Sequence, residues 1–123
     1  MSHPAPPFDR RVLVVEDHPA IRRVVVKFLR RWGYVPCEAP TLAEARGLVQ
    51  AQGFDAIICD GILDDGLGLD FIDELRSVQN ETPILFVSAA LTPQLPWKSH
   101  FAFLAKPFDL VELRAELERL IRS

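Results

Sequence analysis

A chain of 123 residues with 49% hydrophobic and 25% charged content fits one globular domain around a single core, and a second domain is not expected. Its formal net charge of −3 lacks the basic excess that marks nucleic-acid or anionic-membrane binding, and its apolar runs are far shorter than a bilayer span, so neither partner is expected directly. Cys37 and Cys59 each lie in an apolar run with no Cys or His at metal-ligand spacing, which reads as reduced core residues of a cytoplasmic protein, a disulfide being the lesser alternative.

Residues 1–9, opening Met1-Ser-His-Pro-Ala-Pro-Pro7, lack the basic and apolar regions of a signal peptide and read as a disordered lead-in to a domain over 10–122. Arg11-Val-Leu-Val-Val15 is a β-branched run that stops at Glu16-Asp17, a first strand with two acids at its carboxyl end. Pro19 suits the first turn of a helix whose apolar face is expected to be Ile21, Val24, Val25, Phe28, Leu29 and Trp32. Arg22, Arg23, Lys27, Arg30 and Arg31 would take the solvated face, and Gly33 ends the helix. Tyr34 to Glu38 reads as a second strand, placed at a sheet edge by Pro36, which cannot donate to a central ladder.

Thr41 caps a second helix in a capping-box pattern with Glu44, its apolar side formed by Leu42, Ala45, Leu48 and Val49. Phe54-Asp-Ala-Ile-Ile-Cys-Asp60 is a buried-type third strand that ends on a carboxylate, and Asp there would ordinarily just begin a turn. A third helix carries Leu69, Phe71, Ile72, Leu75 and Val78. Pro83 to Ser88 is a fourth strand ending on a hydroxyl, and Phe101 to Lys106 a fifth ending on an amine. Asp109 caps the last helix, striped by Leu110, Leu113, Leu117, Leu120 and Ile121. Strands alternating with helices imply an α/β fold, a five-stranded parallel sheet covered on both faces.

In such a sheet the strand carboxyl ends share one edge, so Glu16, Asp17, Asp60, Ser88 and Lys106 can converge there. Three carboxylates in one pocket repel unless a cation neutralises them, and an oxygen-rich site of this kind suits Mg²⁺. A lysine and a hydroxyl beside it suggest a phosphoryl group, with Asp60 as the nucleophile that carries it. The ordinary alternative is that Lys106 pairs with Asp17 or Asp60 and nothing reacts.

Over roughly residues 10 to 122 the sequence resembles the receiver domains of bacterial two-component response regulators. The resemblance rests on Val12-Leu-Val-Val-Glu-Asp17 with Pro19, Asp60 with Gly68 eight residues on, Ser88-Ala89, and Lys106-Pro107-Phe108. It implies a (βα)5, flavodoxin-like, three-layer sandwich in which Asp60 accepts a phosphoryl group from a histidine kinase or phosphotransfer protein. Mg²⁺ would be held by Glu16, Asp17, Asp60 and the Ile62 backbone carbonyl. Ser88 would follow the phosphoryl group, Lys106 would contact its oxygens, and Phe103 matches the aromatic switch position. The downstream partner is a protein of unknown identity, and a homodimer through the fourth-helix to fifth-helix face is one option. Small phosphodonors would serve, and with Ile62 and Ala90 bordering the approach of water, self-dephosphorylation should be slow.

Two departures stand out. Leu63-Asp64 replaces the usual Met-Pro, adding acids at Asp64 and Asp65 and leaving the loop conformation open. The stretch from Ala89 to Phe101 carries Pro93 and Pro96 and is short for the family by roughly one helical turn of about 3.6 residues. An irregular or shortened fourth helix is expected there, with Trp97 either a partner contact or a cover over the core. A flavodoxin-type nucleotide binder would be repelled by Glu16-Asp17, and a haloacid-type phosphatase would want an acid where Ile62 stands. The closer rival is a receiver-like interaction module that is never phosphorylated, acting alone or as a piece of a larger regulator or hybrid kinase.

Overall fold

A strand that is apolar at every position must be covered on both faces, and this chain follows most of its strands with an amphipathic helix. The computed structural model describes residues 10–89 and 100–122. Its elements are β1 (Arg11–Val15), α1 (Pro19–Arg31), β2 (Val35–Ala39), α2 (Leu42–Ala51), β3 (Ala56–Asp60), β4 (Ile62–Leu63), β5 (Gly66–Leu67), α3 (Gly68–Ser77), β6 (Ile84–Ser88), β7 (Phe101–Ala105) and α4 (Leu110–Arg122). Five strands form one parallel sheet in the order β2-β1-β3-β6-β7. Strand β2, with Pro36, lies at the edge, where a missing donor costs no ladder bond.

Alternation along β1 divides the core. Val12 and Val14 face one layer with Val25, Val26 and Leu29 of α1 and Leu113, Leu117 and Leu120 of α4. Leu13 and Val15 face the other, with Leu42 and Ala45 of α2 and Phe71, Ile72 and Leu75 of α3. The result is the expected three-layer α/β sandwich of flavodoxin-like type, with four helices among the described residues. None of those helices is long and apolar enough to cross a membrane. The prolines after Ala89, Trp97 and the irregular fourth helix expected there lie outside the described residues, as do Ala90 and the lead-in 1–9.

Three expectations are corrected. The buried stripe of α1 is Val25, Val26 and Leu29, whereas Val24 is 46% exposed. The stripe runs through positions 22, 25, 26 and 29, so Arg22 leaves the solvated face: its side chain is only 15% exposed and donates to the Glu16 carbonyl at 2.9 Å and to Glu38 at 3.1 Å. Val78 is no part of the third helix's apolar side, because α3 ends at Ser77 and Val78 follows it, 70% exposed. Strand limits also move by a residue or two, with Tyr34 and Phe54 preceding β2 and β3 and Lys106 following β7.

The starts of α1, α2 and α4 are closed by side chains, whereas α3 has no side-chain cap. His18 precedes Pro19 as the cap of α1, and Asp109 and Glu112 bond each other's backbone N–H at the start of α4. Three amides of the first turn of α2 find acceptors: Thr41 Oγ1 takes Glu44 N–H at 3.1 Å, and the Asp65 carboxylate takes Leu42 N–H at 3.0 Å and Ala43 N–H at 3.1 Å. Asp65 reaches α2 from the loop whose conformation the sequence left open. That loop is a minimal antiparallel hairpin, β4 against β5, with Asp64 and Asp65 between the strands and Gly66 at φ 150°. Gly68 N–H closes its base on the Gly61 carbonyl at 2.9 Å.

Two outcomes follow from this loop. A Cβ on Gly68 would lie 2.1 Å from the Asp60 carbonyl oxygen and 3.1 Å from Cys59 Sγ, so backbone would have to move. Gly68→Ala should therefore lose at least about 2 kcal/mol in urea denaturation, and a variant indistinguishable from wild type would show that the space exists. The two backbone N–H donors hold the Asp65 carboxyl below its ordinary value of 3.8. Because the folded value is depressed, this contribution is complete above 3.8 and is lost as pH falls from there through the folded value. The stability gap between wild type and Asp65→Asn, followed by thermal unfolding, should be constant near neutrality and narrow only in that acid window.

Candidate functional site

The parallel register brings four strand ends together. Val15 stands opposite Cys59, Asp60 opposite Val87 and Ser88 opposite Ala105, so the residues that end or follow β1, β3, β6 and β7 share one edge. Glu16, Asp17 and Asp60 each offer a carboxylate oxygen within 4.8 Å of the others. Lys106 Nζ enters this group from the end of β7, 3.0 Å from Asp60 Oδ1 and 3.2 Å from Glu16 Oε1. The lysine thus bridges Asp60 and Glu16; the ion pair considered from sequence includes Asp60 but has Glu16 in place of Asp17.

Each carboxylate is oriented by one backbone donor. His18 N–H donates to Glu16 Oε2 at 3.0 Å, Asp64 N–H to Asp17 Oδ2 at 3.0 Å, and Gly61 N–H to Asp60 Oδ1 at 2.8 Å. Charge-assisted bonds of this kind fix side-chain rotamers as well as stabilising the ionised form. The His18 and Asp64 donors cannot be read from strand periodicity, since they arise where loops fold back over the sheet edge.

The electrostatics remain unbalanced. Burial pushes the Glu16 carboxyl above its ordinary value; the Asp60 charge adds to this, while His18 N–H and Lys106 only partly offset it. For Lys106, burial is the largest influence and favours the neutral amine, yet hydrogen bonding to Asp60 and the charges of Asp60 and Glu16 outweigh it, leaving the ammonium above its ordinary value. Cys59 behaves otherwise: burial, with Asp60 and Glu16 nearby, drives its thiol far up, so it stays protonated and donates to the Asp60 carbonyl at 3.3 Å. Both cysteines are free thiols.

The donor set is therefore hard oxygen with no accessible thiolate, which fits Mg²⁺ better than a softer metal. A single ammonium among three acids, with Glu16 still pushed up, leaves room in the charge balance for a divalent cation. Glu16, Asp17 and Asp60 could hold it. Ile62 begins β4 two residues past Asp60, and its side chain is 65% exposed.

Ser88 is buried at the end of β6 and accepts Lys106 N–H on its carbonyl at 3.0 Å. A Cβ on Gly61 would come within 2.8 Å of Ser88 Oγ and 3.2 Å of Phe86 Cζ, so the glycine after Asp60 gives the hydroxyl its place. Phe103, 36% exposed, lies against Phe86 with ring centroids 6.2 Å apart, and Phe86 also stacks on Phe101 at 6.1 Å. The Lys106–Pro107 peptide bond is cis. Arg22, Gly61 and Asp65 are the residues around this site that sequence reasoning missed.

Residues 12–118 match the family model of the response regulator receiver domain. The chain is 34% identical over 120 residues to the DNA-binding transcriptional regulator NtrC of Azospirillum brasilense, an alignment covering 91% of the chain but 24% of that regulator, so the chain spans about a quarter of such a relative. Among solved structures, chemotaxis protein CheY4 of Vibrio cholerae superposes with a TM-score of 0.79 at 28% identity, covering 90% of this chain and 98% of that one. Response regulator TrrA of Thermotoga maritima, solved in complex with Mg²⁺-BeF, shares the fold with a TM-score of 0.76 at 24% identity, covering 90% and 98%. With its sheet order, its acidic pocket and a family match over most of its length, the chain belongs to the response regulator receiver domains.

Proposed function

We propose that Asp60 accepts a phosphoryl group from a histidine kinase or phosphotransfer protein in a Mg²⁺-dependent step. The observation that carries this reading is the Lys106 ammonium held 3.0 Å from Asp60 inside a cluster of three carboxylates at the carboxyl edge of the sheet. An Asp60 oxygen attacks phosphorus, the bond from phosphorus to the donor's leaving atom breaks, and the phosphoryl charge spreads over its oxygens. Lys106 meets those oxygens, and Ser88 hydrogen-bonds one of them from the neighbouring strand end. Glu16, Asp17, Asp60 and the Ile62 carbonyl would hold Mg²⁺, which when bound would offset the negative charge that the phosphoryl group brings to an already acidic pocket.

The output is a conformational change read by another protein. Ser88 moving toward the phosphoryl group would alter the packing beside Phe86 and so bias Phe103, the exposed end of that aromatic set. Among the described residues, a groove of about 810 Å³ lined by Ile21, Val24, Phe108 and Leu110 adjoins Lys106, offering a protein donor apolar surface beside the pocket. Receiver domains work with histidine kinases.

Intact mass after incubation with a small phosphodonor and Mg²⁺ tests the assignment. Wild type should gain one phosphate, and Asp60→Asn should gain none. An equal gain in both, or one indifferent to chelator, would refute it, and no gain from any donor or kinase would favour a module that acts without phosphorylation. The lifetime of the product is a second test. Ile62, two residues past Asp60 and 65% exposed, has an apolar side chain that offers water no hydrogen bond. The phosphorylated protein should decay slowly, and Ile62→Asn should shorten its half-life several-fold, as followed by mass or radiolabel; unchanged or slower decay would remove Ile62 from the account.

A further inference from the structure

We infer that Asp65 is a positioning residue for the metal pocket: its carboxylate clamps the loop after Asp60 onto the N-terminus of α2 and so holds the backbone that orients Asp17. The inference rests on the Mg²⁺ reading above and extends it to a residue that is not among the proposed ligands.

The loop after Asp60 is attached at both its base and its tip. Its base is fixed by Gly61 N–H, which donates to the Val87 carbonyl at 3.0 Å, and by Gly68 N–H on the Gly61 carbonyl at 2.9 Å. Nearer the tip, Leu63 is buried in one core layer with Leu42 and Ala45, the β4–β5 pairing spans two residue pairs, Ile62 with Leu67 and Leu63 with Gly66, and Asp64 and Asp65 are exposed. Two sets of hydrogen bonds hold these exposed residues: Asp64 N–H to Asp17 Oδ2 at 3.0 Å, and the Asp65 carboxylate on Leu42 and Ala43 N–H at 3.0 and 3.1 Å. The second set is fastened to a rigid layer, because Leu42 and Ala45 of α2 are buried against the sheet. The first is coupled to it along the chain, since the Leu63–Asp64 peptide that supplies this N–H runs between buried Leu63 on one side and, one residue further on, Asp65 on the other. Proline at position 64 would fix φ but could not donate that bond; with Asp there the loop gains the bond and lacks that stiffness. Partners that orient a ligating carboxylate govern metal affinity although they never touch the ion.

Calorimetric Mg²⁺ titration of the full chain, with amide hydrogen exchange, tests this. Asp65→Ala should weaken Mg²⁺ binding on the order of tenfold, the lower end for outer partners of metal ligands, and speed exchange at Asp64 N–H. Two controls separate other causes. Asp64→Ala removes the same charge but keeps its N–H, and Thr41→Ala weakens the α2 cap without releasing the loop; each should stay within about twofold of wild type. Asp65→Asn keeps one acceptor and should fall between wild type and Asp65→Ala, which preserves the test if the alanine variant folds poorly. Binding by wild type with both Asp65 variants within about twofold of it, or equal losses in either control, overturns the clamp while leaving the metal site intact. A wild type that binds no Mg²⁺ overturns the metal reading itself.

Discussion

The ammonium of Lys106 between Asp60 and Glu16 is the contact that lets three carboxylates share a partly buried pocket. Without a cation, burial and mutual repulsion would drive protonation of at least one acid, and Glu16 already shows the tendency. The sign of that shift matters for what the pocket is for. A carboxyl whose folded value is raised costs the fold stability as pH climbs from its ordinary value of 4.5 through the folded one, so Glu16 is ionised at the expense of the native state. Additional positive charge beside Glu16 would relieve that penalty, and much of the remaining structure holds the carboxylates in place.

Much of that apparatus was legible in the chain, because a parallel sheet turns strand ends into neighbours. Once Val15, Asp60, Ser88 and Ala105 are recognised as strand ends, Glu16, Asp17, Asp60, Ser88 and Lys106 must meet at one edge. Periodicity also located every helix among the described residues. It failed where burial depends on what lies opposite. Val24 and Val26 are equivalent to a hydropathy pattern, and only the rotation of α1 on the sheet decides that Val26 goes in while Arg22 turns toward the Glu16 carbonyl. The hairpin after Asp60 was illegible for a different reason: its conformation depends on the start of α2, more than twenty residues earlier, and no local signal announces so distant a cap.

The packing behind Ser88 shows how a missing side chain can be informative. Gly61 leaves a space that a Cβ would share with Ser88 Oγ and the rim of Phe86. Phe86 in turn separates Phe101 from Phe103, with centroid distances of 6.1 and 6.2 Å. Interiors pack at nearly crystalline density, so a side chain that shifts at one end of such a set displaces its neighbours rather than compressing them. The backbone next to Asp60, the hydroxyl on β6 and the exposed ring on β7 thus lie close to Phe86, on two adjacent strands.

Asp64 and Asp65 make the final distinction between composition and role. As letters they are two adjacent acids in a loop beside an acidic site, and charge alone would assign both to the metal or to solvent. In the fold, the peptide N–H of Asp64 supports the pocket, whereas the carboxylate of Asp65 points to α2 and neutralises two helix donors. One residue contributes its backbone toward the chemistry and the next contributes its side chain away from it. Because the two are joined by one peptide bond, a hold on Asp65, with buried Leu63 on the other side, narrows the range open to Asp64. A loop that lacks the stiffness of proline can in this way reach comparable definition through hydrogen bonds made on both sides of the chain.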